Sequence, residues 1–89
     1  MKTVHKYPIQ ARDRFEVELP EGAEILTVQV QREEPFLWAL VDPKTLIDTR
    51  RRFRLAGTGH PISEDTPLKY IGSFQLQGGA LVFHLFEEV

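Results

Sequence analysis

Tyr70-Ile71-Gly72-Ser73-Phe74-Gln75-Leu76-Gln77-Gly78-Gly79-Ala80-Leu81-Val82-Phe83-His84-Leu85-Phe86 reads as a β-hairpin, because two alternating apolar runs flank a Gly-Gly pair suited to a tight turn with φ > 0. Pairing Gln77 with Ala80 sets Leu76 opposite Leu81, Phe74 opposite Phe83 and Gly72 opposite Leu85. One face is then apolar, with Gly72 its only gap. The other face pairs Gln75 with Val82, Ser73 with His84 and Ile71 with Phe86, a mixture too apolar for open water and too polar for a second core.

Further alternation lies upstream. Arg14 to Leu19 turns Phe15, Val17 and Leu19 inward and its charged residues outward. Pro20-Glu21-Gly22-Ala23 is turn chemistry, after which Leu26, Val28 and Val30 alternate with Thr27, Gln29 and Gln31. Phe36 to Val41 is apolar at both parities and reads as a central strand covered on both sides. A two-residue turn at Glu33-Glu34 would pair Val30 with Leu37, Val28 with Ala39 and Leu26 with Val41, and put Trp38 opposite Gln29. Met1 to Ile9 forms a first strand with Tyr7 and Ile9 at one parity, and Pro8 marks it as an edge. Arg51, Phe53 and Leu55 alternate against Arg50, Arg52 and Arg54 in a fifth strand. Asp42 to Asp48 has the capping chemistry of one helical turn, with Asp42 as cap and Pro43 first, and is otherwise a long connection. A second loop, rich in Gly, Pro, Ser and Asp, covers 57–67. Seven short strands with two longer loops predict an all-β fold, a small antiparallel β-sandwich or barrel in a single domain over residues 1–89. Strand edges left unpaired in such a fold invite a homodimer.

Composition sets bounds. With 89 residues, 42% hydrophobic and 27% charged, the chain has the make-up of one ordinary globular domain. It has no cysteine, so disulfides and thiolate zinc sites are excluded. A net charge of −2 argues against general nucleic-acid binding. Met1 to Lys6 lacks the apolar core of a leader, no stretch suits a membrane span, and a cytoplasmic location is expected.

The residues that could carry function fall into three groups. Gly57-Thr58-Gly59-His60 lets backbone N–H groups converge on an anion, with His60 a switchable donor, but lacks the lysine and spacing of a phosphate loop; the simpler reading is a turn that needs glycine. Arg50, Arg52 and Arg54 share one strand face about 7 Å apart, a row that could clamp phosphates or an acidic protein surface. Against that stands a solvated face balanced by Glu16, Glu18, Glu33 and Glu34. Trp38, with Phe36, Leu40, Gln29 and Gln31 on its face, suits stacking on a base or anchoring a partner, although a lone tryptophan is more commonly core. His5, His60 and His84 make no metal-ligand spacing, and no cofactor is expected. His84 opposite Ser73 lacks the third member of a hydrolase triad. No acid/base constellation points to an enzyme.

Leu37-Trp38-Ala39-Leu40-Val41-Asp42, Gly57-Thr58-Gly59-His60-Pro61-Ile62, and Tyr70-Ile71-Gly72 running to Gly78-Gly79-Ala80-Leu81-Val82-Phe83-His84 together resemble a family of short phage and prophage proteins with a domain of unknown function. The resemblance implies a setting in which small accessory proteins bind a host component, including parts of defence systems, and it carries no active-site residues. The expectation is a non-catalytic binding protein that inhibits or sequesters a host protein, or captures a small phosphate-bearing ligand such as a nucleotide signal. The surface expected to do so combines Trp38, Gln29, the arginine row, the 57–60 loop and His84. The alternative is an assembly module that oligomerises through strand edges.

Overall fold

Period-two alternation needs a sheet to cover each apolar face, and the computed structural model, which describes residues 1–89, meets that need with two antiparallel sheets. The strands are β1 (Thr3–Pro8), β2 (Arg14–Pro20), β3 (Glu24–Gln31), β4 (Glu34–Val41), β5 (Asp48–Gly57), β6 (Leu68–Leu76) and β7 (Leu81–Glu88). Strands β1-β4-β3 make one sheet and β2-β5-β7-β6 the other, so the fold is a sandwich, and no barrel closes.

The core is drawn from the two inner faces. The larger sheet supplies Phe15, Leu19, Phe53, Leu55, Phe74 and Leu85, and the smaller supplies Val28, Leu37, Ala39 and Val41. Phe15 and Phe53 stack at 5.5 Å between ring centroids, and Phe74 meets Phe83 at the same distance. Where β3 runs beside β6 the two sheets come closest. There the apparent gap at Gly72 is filled from the opposite sheet, since a Cβ on Gly72 would lie 3.3 Å from Val28 Cγ1.

The C-terminal hairpin follows its expected register from Leu76↔Leu81 to Gly72↔Leu85. Gly78 (φ 65) and Gly79 (φ 95) form the tight turn, and Ala80 N–H donates to Gln77 O at 3.1 Å. Beyond Gly72 a bulge at Ile71 changes the pairing, so Tyr70, not Ile71, faces Phe86.

The β3–β4 hairpin departs further from expectation. Its turn is Arg32-Glu33, both in the left-handed region (φ 53 and 64), between Gln31 and Glu34. Val28 therefore pairs with Leu37 and Thr27 with Trp38. A bulge between Ile25 and Thr27 then turns Leu26 out to 44% exposure and lets Ile25 pack against the core in its place. Strand β4 is central as expected, yet only its Leu37-Ala39-Val41 face is buried; no second layer covers Phe36, Trp38 and Leu40. The 42–48 segment is turn rather than helix: Asp42 Oδ1 accepts from Lys44 N–H and its carbonyl from Thr45 N–H, each at 3.0 Å.

Candidate functional site

Residues directly opposite each other in an antiparallel ladder share a face, so the registers assign each candidate residue to a side of the sandwich. Trp38 stands with Lys6 and Thr27, and Gln29 with Phe36 and Pro8, on the outer face of the three-stranded sheet. Arg50 pairs with Glu18, Arg52 with Glu16, Arg54 with Arg14 and Phe86, and His84 with Ala56 and Ser73, on the outer face of the four-stranded sheet. These two faces point in opposite directions. The single surface expected to join Trp38 to the arginines is thus two surfaces, and no small ligand can stack on Trp38 while the arginines hold its phosphates.

The arginine row is also not uniform. Arg50 and Arg52 are open, with side chains 65% and 70% exposed, and meet Glu16 and Glu18 only loosely, at 3.5–3.9 Å. Arg54 is 3% exposed. Its Nε donates to Glu88 at 2.8 Å, its Nη1 to Ser63 O at 2.9 Å, and its Nη2 to the Asp65 carboxylate. Arg14 holds the same Asp65 from the other side at 2.6 Å. The hydrogen bond from Arg54 first, and then that from Arg14, lower the Asp65 carboxyl from 3.8 to about 2. Arg54 is therefore a clamp for the 57–67 loop and has no free donor row to offer an anion.

Within that loop the glycines serve a turn. His60 N–H donates to Gly57 O at 3.0 Å, Gly59 takes φ 86, and the His60 ring occupies the space where a Cβ on Gly57 would sit, 3.0 Å from its Nδ1. Thr58 N–H reaches Val82 O at 3.1 Å, and Thr58 Oγ1 lies 2.7 Å from His84 Nε2. A hydroxyl bonded to an imidazole is two members of a nucleophile-base arrangement, but no carboxylate bonds to His84 to orient the ring, and Ser73 makes no bond to it. A cleft of about 570 Å³ opens between this loop and β5, lined by Asp13, Arg14, Arg54, His60 and Ser63. Its cations are already matched by Asp65 and Glu88.

On the opposite side, Lys6 lies across the aromatic pair with Nζ 4.5 Å from the Phe36 ring centroid and 5.9 Å from that of Trp38, and donates to Gln31 Oε1 beyond them. Val4 and Leu26 extend the face at 48% and 44% exposure. Trp38 Nε1 is buried with no hydrogen-bond partner. No group of three or more His, Asp or Glu side chains converges to hold a metal, and no helix is long and apolar enough to cross a membrane.

The profile of a family described as "Domain of unknown function (DUF7352)" matches residues 1–89. The chain belongs to that family. No curated protein and no solved structure matches it. In this DUF7352 domain, the Arg14–Asp65–Arg54–Glu88 cluster escapes sequence reading, because its bonded members lie 11, 34 and 51 residues apart and carry no local pattern. Parity opposite Tyr7 and Ile9 marks Val4 and Lys6 as outward-facing, and the pairing of β1 with β4 places them beside Leu40 and Trp38.

Proposed function

We propose that the protein is a non-catalytic accessory binding protein of phage type that acts by occupying a host protein, and that its contact surface is the outer face of the four-stranded sheet. One observation carries this reading: a buried arginine, Arg54, commits its guanidinium to holding an irregular loop against that face. Burying a cation costs desolvation, and the apolar core does not require it. What Arg54 fixes is the contour of the 57–67 segment, on the sheet face that also carries Arg50 and Arg52. A loop held by a rigid scaffold next to exposed charges has the make-up of a polar, reversible interface. Because Glu16 and Glu18 pair only loosely with the two arginines, partner carboxylates can replace them at little cost. Thr58, Gly59, His60 and His84 border the same surface.

Affinity capture from host lysate tests this with Arg50→Glu/Arg52→Glu and Trp38→Ala chains as paired controls on opposite faces. The expected result is one prominent partner lost in the arginine variant and lost more steeply as salt is raised. A partner that the arginine variant retains removes the surface from consideration. The assembly reading draws on a different feature, the uncovered apolar face of the three-stranded sheet.

A further inference from the structure

We infer that the free edge of β2 takes up an extended peptide segment of a partner as an added antiparallel strand, in which basic and apolar residues alternate and an acidic residue closes the C-terminal end. Strand β2 is outermost in its sheet, and β5 is the only strand that lies along it. Leu55 N–H donates to Asp13 O at one end of β2, and Glu21 N–H donates to Ile47 O at the other, both on the β5 side. In an antiparallel ladder only alternate residues aim their N–H and C=O at the neighbouring strand. Phe15, Val17 and Leu19 therefore bond β5, and Arg14, Glu16 and Glu18 turn both backbone groups away from the sheet along an unbroken register. The other edges are blunted. Strands β3 and β6 each carry a bulge and lie against one another, and β1 ends at Pro8, which has no N–H to offer. Strand β2 has no bulge and no inward-pointing charge, and its Pro20 lies beyond the three open residues.

Charge along that edge selects the occupant. The open residues read Arg14, Glu16, Glu18 on the outer face, with side chains 56%, 45% and 64% exposed, so an added strand reaches all three. At the Arg14 end, Arg12 lines the same cleft as Arg14 and Arg52, bonds only Gln10 Oε1 at 3.1 Å and has no carboxylate partner; Glu16 and Glu88, which also line the cleft, are bonded to other arginines. The edge is thus cationic at the start of β2 and anionic beyond it. Its inner face carries Phe15, Val17 and Leu19. An antiparallel strand then matches β2 when it sets a cation opposite Glu18, an apolar residue opposite Val17, a cation opposite Glu16, an apolar residue opposite Phe15 and a carboxylate opposite Arg14. The added strand reaches β2 and not β5, so the inference does not depend on the contact proposed for Arg50 and Arg52.

The end-capped peptide Thr-Lys-Val-Lys-Val-Glu-Thr has that pattern, and calorimetric titration into the wild-type chain at low salt should give a Kd of about 10–100 µM. N-methylation of both lysines removes the N–H groups that would meet the Glu16 and Glu18 carbonyls and should weaken binding by about 10-fold or more. N-methylation of both valines, whose N–H groups point away from β2, should leave it within about twofold. Glu16→Pro gives up an N–H that nothing in the chain accepts, so it should keep the native circular dichroism spectrum and lose binding by a similar factor, and Lys6→Pro at the β1 edge should not lose it. Glu16→Lys/Glu18→Lys should prefer the charge-reversed peptide Thr-Glu-Val-Glu-Val-Lys-Thr. A wild-type chain that binds nothing up to about 1 mM peptide overturns the inference. Binding indifferent to N-methylation of the lysines also overturns it, since charge attraction alone would then account for the complex. A wild-type dimer in sedimentation velocity that Glu16→Pro abolishes would make a second copy the occupant of the edge and overturn the peptide. Each of these outcomes leaves capture through Arg50 and Arg52 to be decided by its own variant.

Discussion

The carboxylate of Glu33, at the tip of the β3–β4 hairpin, accepts the backbone N–H of Gln77, at the tip of the β6–β7 hairpin, at 3.2 Å and 3.3 Å to its two oxygens. Both residues take positive φ, 64 for Glu33 and 54 for Gln77, so two turns from different sheets spend backbone strain on a shared contact. Glu33→Ala should lower stability by about 1 kcal/mol, whereas Glu33→Gln, which keeps an acceptor, should cost about half of that. Arg32→Asn, placed in the same turn and touching nothing in the contact, should stabilise by a few tenths of a kcal/mol (~0.5) because Asn tolerates the left-handed region. Urea unfolding of the three variants reads all of this; no loss in either Glu33 variant would mean the contact contributes nothing.

Gly72 has no room to grow. With a Cβ already 3.3 Å from Val28 Cγ1, Gly72→Val should overpack the seam between the sheets and cost roughly 1–3 kcal/mol. Val28→Ala should cost about 2 kcal/mol on its own through the cavity it leaves. Combined, the two should cost clearly less than their sum, because the added methyls enter the vacated space. Additive losses in denaturant titrations would separate the two residues.

Arg51 and Glu87 form a two-pronged ion pair on the inner face, 2.6 Å and 2.8 Å, and Arg51 also donates to Ala23 O in the turn that leads from β2 into β3. Glu87 is 7% exposed, so Glu87→Ala leaves a cation half enclosed without its partner and should cost about 3 kcal/mol. Replacing both, as Arg51→Met/Glu87→Leu, should bring stability back to within about 1 kcal/mol of wild type. Thermal unfolding of the single and double variants decides whether the pair is a stabiliser or a device for fixing sheet alignment.

Acid should release the 57–67 loop. Asp65 is lowered from 3.8 to about 2 by Arg54 and then Arg14. A carboxyl with a lowered folded-state pKa adds stability that is complete above its unfolded value and is lost as pH falls through its folded value. Between about pH 4 and about pH 2 the wild-type chain should therefore lose stability that Asp65→Asn lacks throughout. Above about pH 5 the gap between them should be constant. Melting curves at stepped pH measure the difference, and a gap that is unchanged at pH 2 would detach Asp65 from the clamp.

Local alternation was sufficient for the strands, since Phe15-Val17-Leu19 and Phe53-Leu55 face inward where their parity put them. It was sufficient for the C-terminal hairpin because Gly78-Gly79 admits few turns. It failed at Arg32-Glu33, where two residues without glycine's freedom adopt left-handed geometry and shift the whole β3 register. It failed again at Leu26, because a bulge breaks period two and no residue type announces one. The site was harder to read for another reason. Parity says which residues leave the core, but not to which sheet a strand belongs; Trp38 and Arg52 both read as outward-facing, and only the strand order β1-β4-β3 against β2-β5-β7-β6 sends them to opposite sides. The burial of Arg54 depends on Asp65 and Glu88 arriving from elsewhere in the chain, which no window of sequence contains.

Glu88, in β7, holds one end of the clamp whose other members are Arg54 and Asp65. While the nascent chain still lacks β7, Arg54 has nowhere to seat and the loop has no fixed shape. The contour of the charged surface is therefore set only after β7 has paired with β5, so the loop takes its shape from the completion of the four-stranded sheet.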